Sequence, residues 1–434
     1  MIGKKIIPAF DQRIAGYPKG TIPVKTYLSD LRESNEFLNM LLDNMNTAVV
    51  IVDENYRIYQ FNNAFLNLFD KAADSPVGEA FGDLTGCVHA VQENKACGET
   101  SQCSFCMLRQ SAIRTLVEDG SIEKRTLERI FYFSGRPEKK YLEFTTRQIS
   151  FEGRRMSLIL IYDITEIQLQ KLELQENQKQ LKQDLQSAAG IQQSLLPDRS
   201  PRIRNLSISW RFEPCEEIGG DIFNLHRIDD NHVGIYMLDV CGHGVPAALI
   251  SVAVSQFMHS DKGLMGNDCQ LMSPETILRN LDEAFPFERF DTYFSIICLT
   301  IDITSGLMSY SCAGHPPPVL LRTDGTLELL EKRGPAIGAG FETVPRFGQE
   351  DKKLHMGDKV ILYTDGLVES RNAEGEAFGV QRFLDALKID GGKTVDVMVN
   401  TLYDKLKVFR RGAKPDDDIS LLGLEYVETG EVVC

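Results

Sequence analysis

The chain has 434 residues, enough for two or three domains with cores of their own. Its 43% hydrophobic and 25% charged residues are the proportions of a globular protein. A net charge of −15 argues against nucleic acid or an anionic membrane as direct partner, and no run reaches the roughly 18 apolar residues that a membrane span needs.

In chain order, residues 1–34 are a lead-in of mixed charge whose apolar stretch, Ile6 to Phe10, is too short for a secretory core; a cytoplasmic location is expected. A helix is expected from Asn35 to Met45, strands over Ala48 to Val52 and Arg57 to Phe61, and a short helix opening at Asn62. Alternating runs at Arg125 to Phe133, Lys140 to Ile149 and Ser157 to Tyr162 predict three further strands. With the exit Asp163-Ile164-Thr165-Glu166, this stretch resembles a PAS sensor domain, an antiparallel sheet with helices, and it is bounded here at 35–165. The resemblance implies a signal input whose identity the residues do not give.

Inside it an insertion carries Cys87, Cys97, Cys103 and Cys106, spaced C-x9-C-x5-C-x2-C, with Gly86 and Gly98 to let the backbone fold around a centre. Four thiolates in so short a stretch suit tetrahedral zinc or an iron–sulfur cluster, and these are the candidate cofactor ligands. Redox-active thiols without metal, or ordinary reduced cysteines, are the alternatives. The remaining cysteines, among them Cys215, Cys241, Cys298, Cys312 and Cys434, are scattered, mostly in apolar runs, and read as buried small hydrophobes.

Residues 166–196 are rich in Gln, Lys, Glu and Leu and predict a long helix. Ile167, Leu174, Leu181, Ala188 and Leu195 recur every seven residues as one seam of a coiled coil, whereas the companion seam holds Gln170, Asn177 and Asp184 with only Ile191 apolar. A homodimer through this weakly sealed helix is expected, with a solvated single helix as the alternative.

The last region, 197–428, sets acids at the edges of apolar runs. Asp239 follows the strand-like Val233 to Leu238 and precedes Gly242-His243-Gly244; Asp365 follows Lys359 to Tyr363; Asp417 stands just ahead of Ile419 to Leu424; Asp221 closes Gly219-Gly220-Asp221. Acids at separate strand edges converge if the strands pack. Carboxylate oxygens without His or Cys favour magnesium or manganese, and two such ions, roughly 3.5 to 4 Å apart, can share and activate a water. An Asp-Gly pair alone is most often a plain turn, so the joint occurrence of the four elements carries the reading.

From about Leu195 to Glu425 these landmarks, with Ala313-Gly314-His315-Pro316-Pro317-Pro318 and Gly334-Pro335-Ala336-Ile337-Gly338, resemble the metal-dependent protein phosphatases of type 2C, in the SpoIIE-type branch that regulates sigma factors. The resemblance implies an α/β/β/α sandwich, so that the whole chain reads as α+β. It further implies that Asp239 bridges two Mn2+ or Mg2+ ions, that Asp221 and the Val240 carbonyl complete one, and that Asp365 and Asp417 complete the other. A water so activated would hydrolyse phosphoserine or phosphothreonine in a protein substrate, by resemblance an anti-sigma factor antagonist. The family often has a further acid three positions after Asp221, where this chain has Asn224, and the run Asp416-Asp417-Asp418 leaves the register open by one residue, with Ile419-Ser420 favouring Asp417. His243 and His315 read as turn-capping residues rather than general acids. A non-catalytic sensor or scaffold on the same fold is the alternative, and a diguanylate cyclase suggested by Gly-Gly-Asp-Ile-Phe lacks the acid that its chemistry needs, because Ile222 stands there.

Overall fold

The computed structural model describes residues 40–428 apart from 43, 72–76, 118–122, 152, 199–200, 202, 261, 265–270, 332–333 and 340–346. The lead-in over 1–34 and most of the helix expected from Asn35 lie outside the described residues. The chain divides into two compact units, 1–177 and 178–434.

The first unit is built on one antiparallel sheet of order β2-β1-β5-β4-β3, with β1 at Ala48–Val52, β2 at Ile58–Phe61, β3 at Glu123–Phe133, β4 at Arg136–Phe151 and β5 at Arg154–Asp163. The expected strands are all present. The β3–β4 hairpin turns through Ser134 and Gly135, both at positive φ, a two-residue loop whose twist matches the flanking strands. Helices α1 (Asn63–Leu68), α2 (Phe81–Thr85), α3 (Val88–Glu93) and α4 (Met107–Val117) complete the unit. Phe65, Phe69, Phe81 and Phe131 pack with Val50, Phe144 and Ile159 into its core.

Asn62 explains why α1 starts where it does. Its buried carboxamide oxygen accepts from the Phe65 and Val49 N–H groups, at 3.1 and 2.8 Å, and its amide nitrogen donates to the carbonyls of Leu42 and Thr47, each at 2.9 Å. One side chain thus caps a helix and fastens β1 to the segment before it.

A single helix, α5, runs from Thr165 to Gln193. Ile167, Leu174 and Leu181 of the expected seam are 67, 58 and 60% exposed. The seam does not continue to its end, because the last turns bury Ala189 and Gln192 rather than Ala188, and Leu195 falls beyond the helix. Ala189 and Leu185 pack there against Ile218 and Ala248 of the second unit.

That unit holds two five-stranded sheets. One has the order β13-β10-β9-β8-β7, from β7 (Ile222–Arg227), β8 (His232–Val240), β9 (Phe294–Asp302), β10 (Leu307–Ala313) and β13 (Gln349–Lys353). The other has the order β12-β11-β14-β15-β6, from β6 (Leu206–Glu213), β11 (Val319–Leu321), β12 (Leu327–Leu329), β14 (Lys359–Tyr363) and β15 (Ile419–Tyr426). In β8, Val233, Ile235 and Met237 meet Leu362, Leu422 and Leu424 of the other sheet, while Tyr236, Leu238 and Val240 face α6 (Val245–Met258) and α7 (Pro274–Ala284). After the short α8 (Phe287–Phe290) and α9 (Asp365–Glu369), helices α10 (Gly379–Asp390) and α11 (Val395–Arg410) cover the outer face of the second sheet through Ile361, Ile419 and Leu421. Strands buried on both faces read as continuous apolar runs rather than alternating ones, which is how β8, β14 and β15 stood out in the sequence. The layers are α/β/β/α, as expected. Among the described residues no helix is long and apolar enough to cross a membrane.

Substituting Asn62→Ala should remove about 2 kcal/mol from the unfolding free energy of the first unit, since a cap is lost and buried backbone groups lose their partner. Urea unfolding of the full chain, followed by hydrogen exchange on β1 and α1, measures it; unchanged protection there would refute the role given to Asn62.

Candidate active site

The antiparallel register of β7 and β8, with Ile222 opposite Leu238, carries Asp221 and Asp239 side by side at one end of the first sheet. In the second sheet Tyr363 lies opposite Leu421, so the residues after β14 and before β15, Asp365 and Asp417, meet at the end of that sheet. The two ends face one cleft of about 560 Å3, lined by Asp239, Val240, Asp365 and Asp417 with Tyr293, Ser295 and His315. Asp221 lies behind this lining, 2% exposed, its Oδ2 accepting from the hydroxyls of Thr364 at 2.8 Å and Ser420 at 2.7 Å. All four expected acids and Val240 are therefore brought together.

Their electrostatics follow from crowding. Burial and then the charges of Asp365, Asp417 and Asp418 push Asp239 up to about 7. Asp221 is raised well above the usual carboxylate range, first by burial and then by Asp239 and Asp418. Asp365 is raised by burial and Glu369, and Asp417 by burial, Asp365 and Asp418. A cation would relieve each of these shifts, so the donor set fits hard divalent ions. Among the described residues no three His, Cys, Asp or Glu side chains stand close enough to grip an ion as they are placed.

Asp418 resolves the register of the Asp416-Asp417-Asp418 run. Asp417 faces the cleft, whereas the buried Asp418 turns inward and accepts from the backbone N–H groups of Cys215 at 2.8 Å, Gly220 at 2.6 Å and Asp221 at 3.3 Å. This carboxylate holds the loop that presents Asp221. It also explains two glycines, since a Cβ on Gly219 would stand 2.2 Å from Asp418 Oδ2 and one on Gly366 would stand 2.0 Å from the Asp418 carbonyl oxygen. Close backbone approach, not turn geometry, requires glycine at both positions.

Gln192, at the end of α5, grips the same loop from the other side. Its amide nitrogen donates to the Gly219 carbonyl at 2.7 Å and to Ser251 Oγ at 3.1 Å, and its oxygen accepts from the Gly219 N–H at 3.2 Å. Its role rests on contacts with Gly219 and Ser251, distant segments that no local pattern around it displays. Asn224, in place of the family's further acid, donates to the Leu195 carbonyl and accepts from its neighbour Leu225, so it ties down the segment after α5.

His315 is buried and held down to about 4 by desolvation, so its ring is neutral near pH 7. Nδ1 lies 3.0 Å from the Pro316 carbonyl, and Nε2, buried beside the cleft, has no partner. A neutral ring is no general acid. His243 pairs with Glu216 at 3.0 Å on the surface. Of the cysteines expected in the core, Cys298 and Cys312 are buried; Cys215 is half-buried, and Cys241 is exposed on the turn after β8, where Gly242 bends the chain out of the sheet. Cys434 lies outside the described residues. In the first unit, Cys87, Cys97, Cys103 and Cys106 line one small cavity, and all four are free thiols.

The order of the sheets is that of a type 2C-like phosphatase fold, as comparison with known proteins shows. Residues 229–427 match the family model of stage II sporulation protein E, SpoIIE, and residues 36–100 match a PAS domain model. The chain thus carries a SpoIIE-type, type 2C-like phosphatase domain behind a PAS domain. It is 25% identical over 263 residues to protein IcfG of Synechocystis, covering 56% of this chain and 41% of that protein. It is 29% identical to phosphoserine phosphatase RsbP of Bacillus subtilis over 43% of this chain and 46% of the relative, and 26% identical to phosphoserine phosphatase RsbU of the same organism over 53 and 66%. The chain therefore spans less than two thirds of each of these relatives. The SiaA-PP2C domain of Pseudomonas aeruginosa superposes with a TM-score of 0.50 at 23% identity, covering 58% of this chain and 98% of that domain, a likeness of fold.

Replacing Asp418 by Ala leaves three backbone N–H groups without their acceptor and should cost about 3 kcal/mol of stability in the second unit. Chemical denaturation followed by the fluorescence of Trp210, the chain's single tryptophan, reads it directly; a loss below about 1 kcal/mol would contradict the holding role.

Proposed function

We propose that the chain is a signal-regulated protein serine/threonine phosphatase: a sensor over 35–165, a relay helix over 166–196 and a catalytic domain over 197–428. The observation that carries the reading is the gathering of Asp221, Asp239, Asp365 and Asp417, from four separate segments, at one cleft that the last three line and Asp221 backs, where burial and neighbouring carboxylates raise all four. Such a set serves divalent cations, magnesium or manganese by its all-oxygen character. In this reading Asp239 is shared between two ions, Asp221 and the Val240 carbonyl serve one, and Asp365 and Asp417 serve the other. Ions bound there would lower the pKa of a shared water and neutralise charge on the phosphoryl oxygens.

The chain's own residues orient this site. Thr364 and Ser420 fix the Asp221 carboxylate, Asp418 fixes its loop, and the cleft opens beside Tyr293 and Ser295 to admit a phosphorylated side chain. Similarity to two phosphoserine phosphatases supports phosphoserine or phosphothreonine as the group removed, and the SpoIIE-type domain supports an anti-sigma factor antagonist as the protein carrying it. The intact set of acids disfavours a non-catalytic scaffold. The apolar seam of Ile167, Leu174 and Leu181 supports pairing of α5 with a second copy, and the Gln192 grip on Gly219 supports transmission from that helix to the Asp221 loop.

Asp239→Asn should lower kcat on a phosphoserine peptide with manganese on the order of a hundredfold or more, with far-ultraviolet circular dichroism unchanged. Near-normal turnover would remove Asp239 from the centre, and a wild-type chain inert on every phosphopeptide would favour the scaffold. For the helix, Leu174→Lys with Leu181→Lys should convert a dimer to a monomer in sedimentation velocity; a wild-type chain that already sediments as a monomer would refute pairing.

A further inference from the structure

We propose that the four cysteines of the PAS unit are the ligands of an iron–sulfur cluster. The site is independent of the phosphatase chemistry and stands on what lines its cavity. Cys87 sits at the N-terminus of α3 and is bridged to Phe131 of β3; Cys97 lies in the following loop; Cys103 and Cys106 open and close the short turn before α4. Their side chains converge on one cavity, closed on the apolar side by Phe81, Leu127 and Phe131. The backbone is shaped for this, because a Cβ on Gly82 would stand 2.7 Å from Cys97 Sγ, and Gly98, at φ +110°, presses within 3.0 Å of the Arg109 guanidinium by the same measure.

The second observation is a surplus of hydrogen-bond donors. Tyr56 Oη, Thr85 Oγ1 and Arg109 Nη1 all belong to residues lining this cavity, all are buried, and none has a partner. Buried donors are ordinarily satisfied, so three in one small cavity point to an absent acceptor. The thiols do not fill that role. Cys103 Sγ already takes the Gly98 N–H at 3.0 Å and lies 2.9 Å from Thr100 Oγ1, and Cys87 Sγ takes Arg129 Nη1 at 3.4 Å. A single zinc ion would leave the four thiolate sulfurs as the only acceptors, whereas a cluster adds inorganic sulfides that accept from O–H and N–H donors. Arg109 and Arg129 supply positive charge for the net negative charge of four thiolates around such a cluster.

Tetrahedral zinc needs its four sulfurs gathered at about 2.3 Å from one point. Among the described residues no such group is gathered closely enough to hold an ion as placed, so binding of either kind requires the cysteine side chains to turn. The cavity as placed holds about 30 Å3, room for one or two waters, so a cluster seats only as the cysteine side chains turn outward, toward the largely exposed residues 94–105.

The test is elemental and spectroscopic, on the full chain purified without oxygen and, if it emerges metal-free, incubated anaerobically with ferrous iron, sulfide and a thiol reductant. Iron and acid-labile sulfide in equal amounts, with a visible sulfide-to-iron absorption band, is the expected result. Tyr56→Phe should keep the iron content but shift the reduction potential to more negative values, because a donor to the cluster sulfurs is lost. Cys103→Ser with Cys106→Ser should abolish iron retention; should that variant fail to fold, the wild-type stoichiometry and the Tyr56→Phe shift still decide. Zinc without sulfide, a disulfide among the four cysteines, or no uptake on incubation would each overturn the proposal.

Discussion

Crowding of carboxylates at the ends of two sheets is the constraint around which the second unit is organised. At the meeting ends of two sheets Asp221 is fully out of water, Asp239 and Asp365 are half-buried and Asp417 stays exposed, and in that setting burial and neighbouring carboxylates raise their affinity for protons. A fold gains nothing in stability from such an arrangement, so it has to be held by other interactions. Asp418 supplies much of that holding by gathering three backbone N–H groups into one carboxylate, and Thr364 and Ser420 add two hydroxyls on Asp221. The result is a preformed crowd of carboxylates whose raised proton affinity a bound cation would relieve.

The scaffold explains how residues two hundred positions apart come to share the cleft. Adjacent antiparallel strands put the start of one and the end of the other at the same edge, so β7 with β8 delivers one pair of acids and β14 with β15 the other, and packing of the two sheets joins the pairs. Both sheets are covered by helices on their outer faces and by each other on their inner faces, which leaves the strand ends as the place where polar chemistry can reach solvent. Gln192 then connects the end of α5 to the loop before Asp221, and a shift of that helix would act on Gly219 of that loop through two hydrogen bonds.

Much of this was legible in the residues. Continuous apolar runs marked β8, β14 and β15, alternation marked the PAS strands, and Asp239, Asp365 and Asp417 declared themselves by standing at the ends of those runs. What could not be read depends on contacts between distant segments. Asp417 and Asp418 are neighbours with the same side chain, and only packing tells that one faces the cleft while the other faces backbone. Gly366 looked like half of a turn, yet its backbone lies against Asp418. Cys241 looked like a core residue because it follows an apolar strand, and Gly242 turned it outward. The helix seam was drawn through Ala188 and Leu195, but helix α5 rotates its last turns onto Ile218 and Ala248. In the PAS unit the cysteine spacing was plain, while the partnerless donors of Tyr56, Thr85 and Arg109 come from other parts of the chain and carry no local pattern.

The most direct measurement is anomalous diffraction at the manganese edge from crystals grown with Mn(II). Anomalous peaks in the cleft between Asp239, Asp365 and Asp417, with Asp239 touching more than one of them, are the predicted result. A cleft without manganese at saturating concentration would contradict the account at its centre.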